Sequence, residues 1–211
     1  MTETFVIAFT TFFATIGPVD VAAMFAALTP GATTKARRMM ATRGILVSSA
    51  VLIVIALVGK PILAVLGISL AALRVSGGIL LLLMGIDLVF ARESGGVSAT
   101  AEERAEAVGR DDISVFPLAM PLIAGPGTMG AVILLMANTE GDLMRQAVIL
   151  GTLLIVLLLT WVLLLGAGVV HRGLGVTGLN VVSRVFGVLL SALAMQFVLD
   201  GIATSGLFAR G

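Results

Sequence analysis

Residues 113–137 read ISVFPLAMPLIAGPGTMGAVILLMA, an apolar run of membrane-spanning length with Gly125-Pro126-Gly127 at its middle. A proline within a helix removes a backbone donor and clashes with the preceding turn, so Pro126 leaves the Leu122 carbonyl without its usual partner. Pro117 and Pro121 loosen the same run upstream. The pattern occurs twice. Gly17-Pro18 interrupts the apolar run from Thr4 to Leu28, where Pro18 frees the Ala14 carbonyl. The last apolar run of each half then opens with an arginine in a matching frame, Arg74-Val75-Ser76-Gly77 and Arg184-Val185-Phe186-Gly187. Gly17 to Arg74 spans 57 residues and Gly125 to Arg184 spans 59. Repeated units with helices broken at the midplane are the pattern of a secondary transporter.

The rest of the chain agrees with a membrane solvent. Hydrophobic residues make up 59% of 211 residues and charged residues 12%, which excludes an ordinary soluble domain. Six runs can cross a hydrocarbon core of about 30 Å at about 1.5 Å per residue: 4–28, 43–66, 69–90, 113–137, 145–170 and 180–205. The first lacks a basic leader and a cleavage site, so it is expected to remain as a span rather than be removed as a signal peptide. Pro30 and Pro61 are expected to close the first two spans. The chain has no cysteine, which excludes disulfides and thiolate chemistry.

The cationic residues predict orientation. Lys35, Arg37, Arg38 and Arg43 follow the first span, Arg92, Arg104 and Arg110 the third, and Arg172 the fifth. The other side carries Lys60, Arg145 and Arg210. The positive-inside rule then puts the odd-numbered loops in the cytoplasm and both termini outward. Three spans per unit is an odd number, so the second unit enters from the opposite side and the repeats are inverted. The expected organisation is a three-helix repeat over 1–90, a cytoplasmic connector over 91–112 and a second repeat over 113–211. The charged connector, with Glu102, Glu103, Arg104 and Glu106 after Gly95-Gly96, reads as a solvated tether.

Candidate site residues follow from the breaks. Half-helices beginning near Val19 and Thr128 present free N–H groups and a positive dipole end, suited to a carboxylate. The carbonyls freed upstream suit an ammonium group or a cation. Both ends together fit a zwitterion such as a neutral amino acid. A structural kink explains one such break, but matching breaks in two repeats favour a site. Thr15, Gly17, Pro18, Asp20, Gly125, Pro126, Gly127 and Thr128 are therefore the candidate substrate-binding positions. Asp20 could hold an ammonium group or carry a coupled proton; a plain helix N-cap is the competing role. Small residues beside the breaks, Ala22, Ala23, Gly130 and Ala131, point to a small solute or to close helix packing.

Four more intramembrane charges need partners. Arg74 with Asp200 towards the outer face, and Arg184 with Asp87 towards the inner face, are the expected ion pairs or gates; the alternative is snorkelling to headgroups. Thr10, Thr11 and Asn138 are lesser polar candidates. His171, the sole histidine, cannot form a metal cluster alone, and Trp161 reads as packing.

The stretch Ile113 to Gly130, with Pro117-Leu118-Ala119-Met120-Pro121-Leu122-Ile123-Ala124-Gly125-Pro126-Gly127-Thr128, resembles the fourth-helix signature of the MarC-type membrane proteins. Arg74-Val75-Ser76-Gly77-Gly78-Ile79-Leu80-Leu81, after Leu66-Gly67-Ile68-Ser69, is similar to their third helix, and Arg184 to Gly201 to their last. The resemblance covers essentially the whole chain. It implies six helices in inverted repeats and a small neutral amino acid transporter, with a site between the kinked first and fourth helices. It supports Pro18, Gly125, Pro126 and Gly127 as site-forming. The first helix departs from the family pattern: an acidic or amide residue commonly precedes the proline and Gly-Asn follows it, whereas here Gly17 precedes Pro18 and Val19-Asp20 follows.

The expected protein is thus an all-α polytopic transporter of the bacterial inner membrane, moving glycine- or alanine-sized neutral solutes by alternating access. A passive channel or an exporter of other small metabolites is the nearest alternative, and a membrane scaffold or sensor a third. No enzyme is expected: H-E-x-x-H and G-x-S-x-G are absent. No G-x-x-x-x-G-K-[ST] is present either, so a gradient must drive transport, with proton and sodium coupling both open. No resident cofactor, metal or nucleic-acid partner is expected. The partners are a small-molecule substrate and membrane lipid, with homo-oligomerisation left open.

Overall fold

The computed structural model describes residues 1–29, 31–90, 112–139 and 141–205, and within α8 below it does not describe the side chains of 167–177, 179 and 180. All regular structure among the described residues is helical: α1 (Thr2–Ile16), α2 (Pro18–Leu28), α3 (Thr34–Val65), α4 (Leu70–Phe90), α5 (Ser114–Ile123), α6 (Pro126–Ala137), α7 (Leu143–Leu165) and α8 (Ala167–Thr204). Among the described residues, five stretches are long and apolar enough to cross a membrane, and six if the bent pair α5/α6 counts as one span. The connector, apart from Asp112, lies outside the described residues, as do Pro30 and the side chains of His171 and Arg172.

The first span is the centre of the bundle. In its most apolar window 56% of residues are buried, against 22% for α3, so α3 faces lipid while α1/α2 faces protein. Phe12, Ile16 and Phe25 of α1/α2 are fully enclosed, together with Leu118 and Ile123 of α5, Leu134 of α6, and Leu153 and Leu157 of α7. Helices α3 and α7 flank this core. On the other side α4 and α8 pack tightly against each other, with α8 also touching α1 and α2.

Several boundaries move. Helix α3 begins nine residues before the expected span, capped by Thr33, whose Oγ1 accepts from the Ala36 N–H at 3.2 Å. Lys35, Arg37, Arg38 and Arg43 therefore ride on its opening turns rather than in a loop. Arg37 turns back to donate to the Thr29 carbonyl at the end of α2. Pro61 does not end α3, which continues to Val65. It is exposed near the helix end, where one lost backbone bond is least costly. The stop is Gly67, left-handed at φ 67°, with the Ile68 N–H reaching back to the Leu63 carbonyl at 2.9 Å.

One contact ties α3 to the entrance of α5. Arg43 Nη1 lies 2.7 Å from Asp112 Oδ2, and Asp112 Oδ1 accepts from the Ser114 N–H at 2.9 Å. Hydrogen bonding from Ser114, aided by the Arg43 guanidinium, holds the Asp112 carboxyl below the usual carboxylate range. A depressed folded-state pKa stabilises above the unfolded value of about 3.9 and stops stabilising as pH falls through the folded value. Asp112→Asn should therefore cost about 1 kcal/mol or less at neutral pH, given this pair's exposure. The gap to wild type should close in acid-titrated unfolding below pH of about 4.

Candidate functional site

Helix α1 stops because Gly17 adopts φ 59°, ψ 58°, a conformation a side chain resists, with its N–H bonded to the Phe13 carbonyl at 3.0 Å. Pro18 then opens α2 as its first residue, where a missing N–H costs nothing, and the Val21 N–H closes the first turn on the Gly17 carbonyl at 2.9 Å. Thr2–Leu28 still runs as one 27-residue span across this joint.

The second joint is built differently. Pro117 and Pro121 force the residues before them out of the helical region: Phe116 sits at φ −128°, ψ 126° and Met120 at φ −135°, ψ 125°. Helix α5 consequently closes on wide turns, Leu118 N–H to the Ile113 carbonyl at 3.1 Å and Ala124 N–H to the Ala119 carbonyl at 2.9 Å. Gly125 is extended, Pro126 opens α6, and the two segments meet at 52°.

The two joints touch. Thr128 Oγ1, in the first turn of α6, donates to the Thr15 carbonyl in the last turn of α1 at 3.2 Å, with both residues buried. Four residues before Thr15 and on the same face of α1, Thr11 is fully buried with its Oγ1 unpartnered among the described residues. Buried hydroxyls are normally bonded, and leaving one unmade costs about 1–3 kcal/mol. Gly125 and Gly127 are buried in the turn that leads into Thr128, while Pro126 is exposed.

Asp20 lies on the opposite side of the first joint. Both its carboxylate oxygens accept from Ser183 Oγ of α8, at 2.9 and 3.1 Å. A cleft of about 10 Å³, lined by Phe13, Gly17, Asp20, Leu88, Ser183 and Phe186, opens there with room for one water-sized group. The Phe13 and Phe186 rings close it, their centroids 4.1 Å apart. Of the sequence-predicted residues, Thr15 and Thr128 meet at the contact between joints and Gly17 and Asp20 line the cleft towards α8, while Pro18, Gly125, Pro126 and Gly127 shape the joints themselves.

The expected ion pairs are arranged otherwise. Arg74 Nε donates to Asn138 Oδ1 at 2.5 Å, and its Nη1 lies 3.4 Å from Thr204 Oγ1. Asp200, exposed, accepts from Gln196 Nε2 one turn away at 2.8 Å. Gly201 is the residue facing Arg74 Cβ. Asp200, one position earlier and about 100° around the helix, points elsewhere. Arg184 is exposed and Asp87 half-buried, and no ion pair joins them among the described residues. Here Gly187 meets Leu88 Cβ, so the seam between the helices falls on neighbours of the charged residues.

Ser183, Phe13 and Phe186 were not among the sequence candidates. Serine one residue before an intramembrane arginine is unremarkable in one dimension, and only the packing of α8 against α2 gives it a carboxylate. Asn138 proves the partner of Arg74, 64 positions away.

Comparison with known proteins places these features in a group. The sequence model described as MarC family integral membrane protein matches residues 2–205. A UPF0056 membrane protein of Methanocaldococcus jannaschii is 33% identical over 94% of this chain and 95% of its own length. The UPF0056 membrane protein YvbG of Bacillus subtilis is 32% identical over 95% and 93%. YhcE of Escherichia coli, likewise described, is 30% identical over 90% and 87%. No solved structure matches the chain.

Proposed function

We infer a function from one established premise: the chain belongs to the MarC family of integral membrane proteins. Our reading is a secondary transporter of small neutral solutes, glycine- or alanine-sized amino acids, working by alternating access between inverted repeats in a bacterial inner membrane. It acts without chemistry on its substrate, driven by a gradient, with both termini outward.

The observation that carries this reading is the Thr128–Thr15 contact, which brings two helix joints together in the buried centre of the bundle. Joints leave the opening N–H groups of α2 and α6 and the closing carbonyls of α1 and α5 without helical partners. Such backbone is tolerated at membrane depth only against protein or a polar cavity, and it offers donors for a carboxylate beside acceptors for an ammonium. The unpartnered Thr11 hydroxyl adds a polar group on the same face of α1. In this conformation the centre is closed, so a substrate must separate Thr128 from Thr15, as a carrier requires and an open pore does not.

Local pairs at equivalent ends support the repeat. Thr29 directly follows α2 and Thr139 lies two residues past α6, each hydroxyl bonded to a preceding carbonyl, Phe25 at 2.7 Å and Met136 at 2.8 Å. Each is then held by a long side chain from the next helix, Arg37 to the Thr29 carbonyl and Gln146 Nε2 to Thr139 Oγ1.

The test is counterflow of labelled L-alanine and glycine in proteoliposomes. Wild type should show saturable exchange. Thr128→Val, which removes a bond of about 0.6–1.7 kcal/mol, should shift apparent affinity several-fold while leaving the protein folded. Asp20→Asn should abolish net uptake driven by an ion gradient but spare exchange if the carboxylate carries the coupled ion. Exchange no faster than in empty vesicles would sink the transport reading.

A further inference from the structure

A second cavity, of about 200 Å³, lies far from the joints between the start of α1, the turn from α6 to α7, and α8. Its lining includes Glu3, Thr4, Asn138, Thr139, Arg145 and Phe197. We propose that it is a capture site for a small zwitterion, an α-amino acid with a free ammonium and a free carboxylate. The proposal deepens the transport reading and rests on it for its purpose.

The polarity of the walls carries the argument. On the α1 side Glu3 is exposed and, among the described residues, has no hydrogen bond or ion pair. It is an acceptor without a donor. The α6–α7 side presents donors. Asn138 is fixed in orientation, because Arg74 has only donors and so claims the amide oxygen, leaving the Nδ2 hydrogens for another acceptor. Arg145 spends its Nε on Asp142 Oδ2 at 3.3 Å, and its two terminal nitrogens have no partner among the described residues. Thr139 is occupied already, donating to the Met136 carbonyl and accepting from Gln146, so it braces the wall rather than offering a group.

The lining brings the Glu3 acceptor together with the Asn138 and Arg145 donors, a set complementary to ammonium and carboxylate on one molecule. A lone anion would leave Glu3 unpaired beside it, and a lone cation would face Arg145. The volume falls below the usual range for drug-sized ligands, about 300–1,000 Å³, which favours a solute of few atoms. The cavity is also placed to feed the joints. Glu3 stands 14 residues before Gly17 on α1, and Asn138 stands 13 after Gly125. At about 1.5 Å per residue, both helices run roughly 20 Å from the cavity to the joints.

The absence of native cysteine permits a direct test. Thr4→Cys places one thiol in the lining, and its labelling by a membrane-impermeant maleimide is followed in right-side-out vesicles. L-alanine should slow the labelling, whereas propionate and ethylamine at the same concentration should not. Adding Glu3→Gln or Arg145→Gln should raise the half-protecting alanine concentration about tenfold, with Glu3→Asp retaining protection. Each variant is checked for an unchanged gel-filtration profile, and the two Gln variants stand in for one another should either misfold. Equal protection by propionate would make this an anion site, and no protection by alanine would remove it; either overturns the proposal. Protection in a protein that fails counterflow would sink the transport reading alone, and counterflow without protection would sink this site alone.

Discussion

Gly125→Ala should destabilise the protein by about 1–3 kcal/mol and abolish alanine exchange, although it adds one methyl group. The backbone of Gly125 is at φ −75°, ψ 170°, open to any residue, so conformational strain is not the cause. The cause is space: a Cβ built there would run into the Pro121 carbonyl oxygen. That atom belongs to the backbone of the wide-turn segment and cannot swing aside as a side-chain end would. Relief requires opening the 52° angle between α5 and α6, which displaces Thr128 from the Thr15 carbonyl. Gly130→Ala is the matched control, since a Cβ there meets nothing within 4 Å. That control should be neutral or stabilising by up to about 1 kcal/mol from helix propensity. Thermal unfolding in detergent reads the first effect and proteoliposome counterflow the second. A fully active, equally stable Gly125→Ala protein would show that the joint is not a tight fit.

Gly85→Leu should do more, leaving little correctly assembled protein. In lipid no hydrophobic drive holds two apolar helices together, so α4 and α8 depend on close van der Waals contact across small residues. A Cβ on Gly85 would run into Ser191 Oγ and lie 2.9 Å from the Ser191 nitrogen and 3.0 Å from the Gly187 carbonyl oxygen. The serine can rotate or be removed; the other two atoms are backbone. The contact is mutual, because a Cβ on Gly187 would meet the Gly85 carbonyl oxygen and the Val89 nitrogen, each at 2.9 Å. Gly78 and Gly201 extend the same seam against Ala194 and Ala71 carbonyls at 2.8 and 2.9 Å. Gly85→Ala should already cost about 1–3 kcal/mol in unfolding titrated with a denaturing detergent. Adding Ser191→Gly should recover only part, since the backbone contacts persist. Gly151→Ala, which meets nothing within 4 Å, should leave both stability and the gel-filtration profile unchanged.

Much of the fold was legible because membrane solvation leaves few choices. Long apolar runs must be helices, and their lengths follow from hydrocarbon thickness. Boundaries were less legible, since a helix may extend beyond the membrane at either end. Thr33 capping places the start of α3 among the basic residues, and Gly67 rather than Pro61 ends it. The joints were readable for a local reason: glycine and proline act on their own backbone, and so Gly17-Pro18 and Gly125-Pro126 mark the places where helices stop and restart. How they stop was not. The same dipeptide leaves one span continuous and the other bent by 52°, because only the second carries two further prolines upstream.

The family, the helical class and the two joints were determined by sequence alone, since each depends on composition or on backbone chemistry within a few residues. Partners between distant helices belong to the tertiary structure. Sequence symmetry favours Arg74 with Asp200, yet the glycine seam turns Gly201 towards Arg74 and sends Asp200 outward, leaving Arg74 to Asn138. Asp20 and Thr15, five residues apart, face α8 and α6 respectively. One residue is about 100° of helix rotation. The rotation of each helix about its own axis is set by which side chains fit its neighbours, and that fit exists only once the helices have packed.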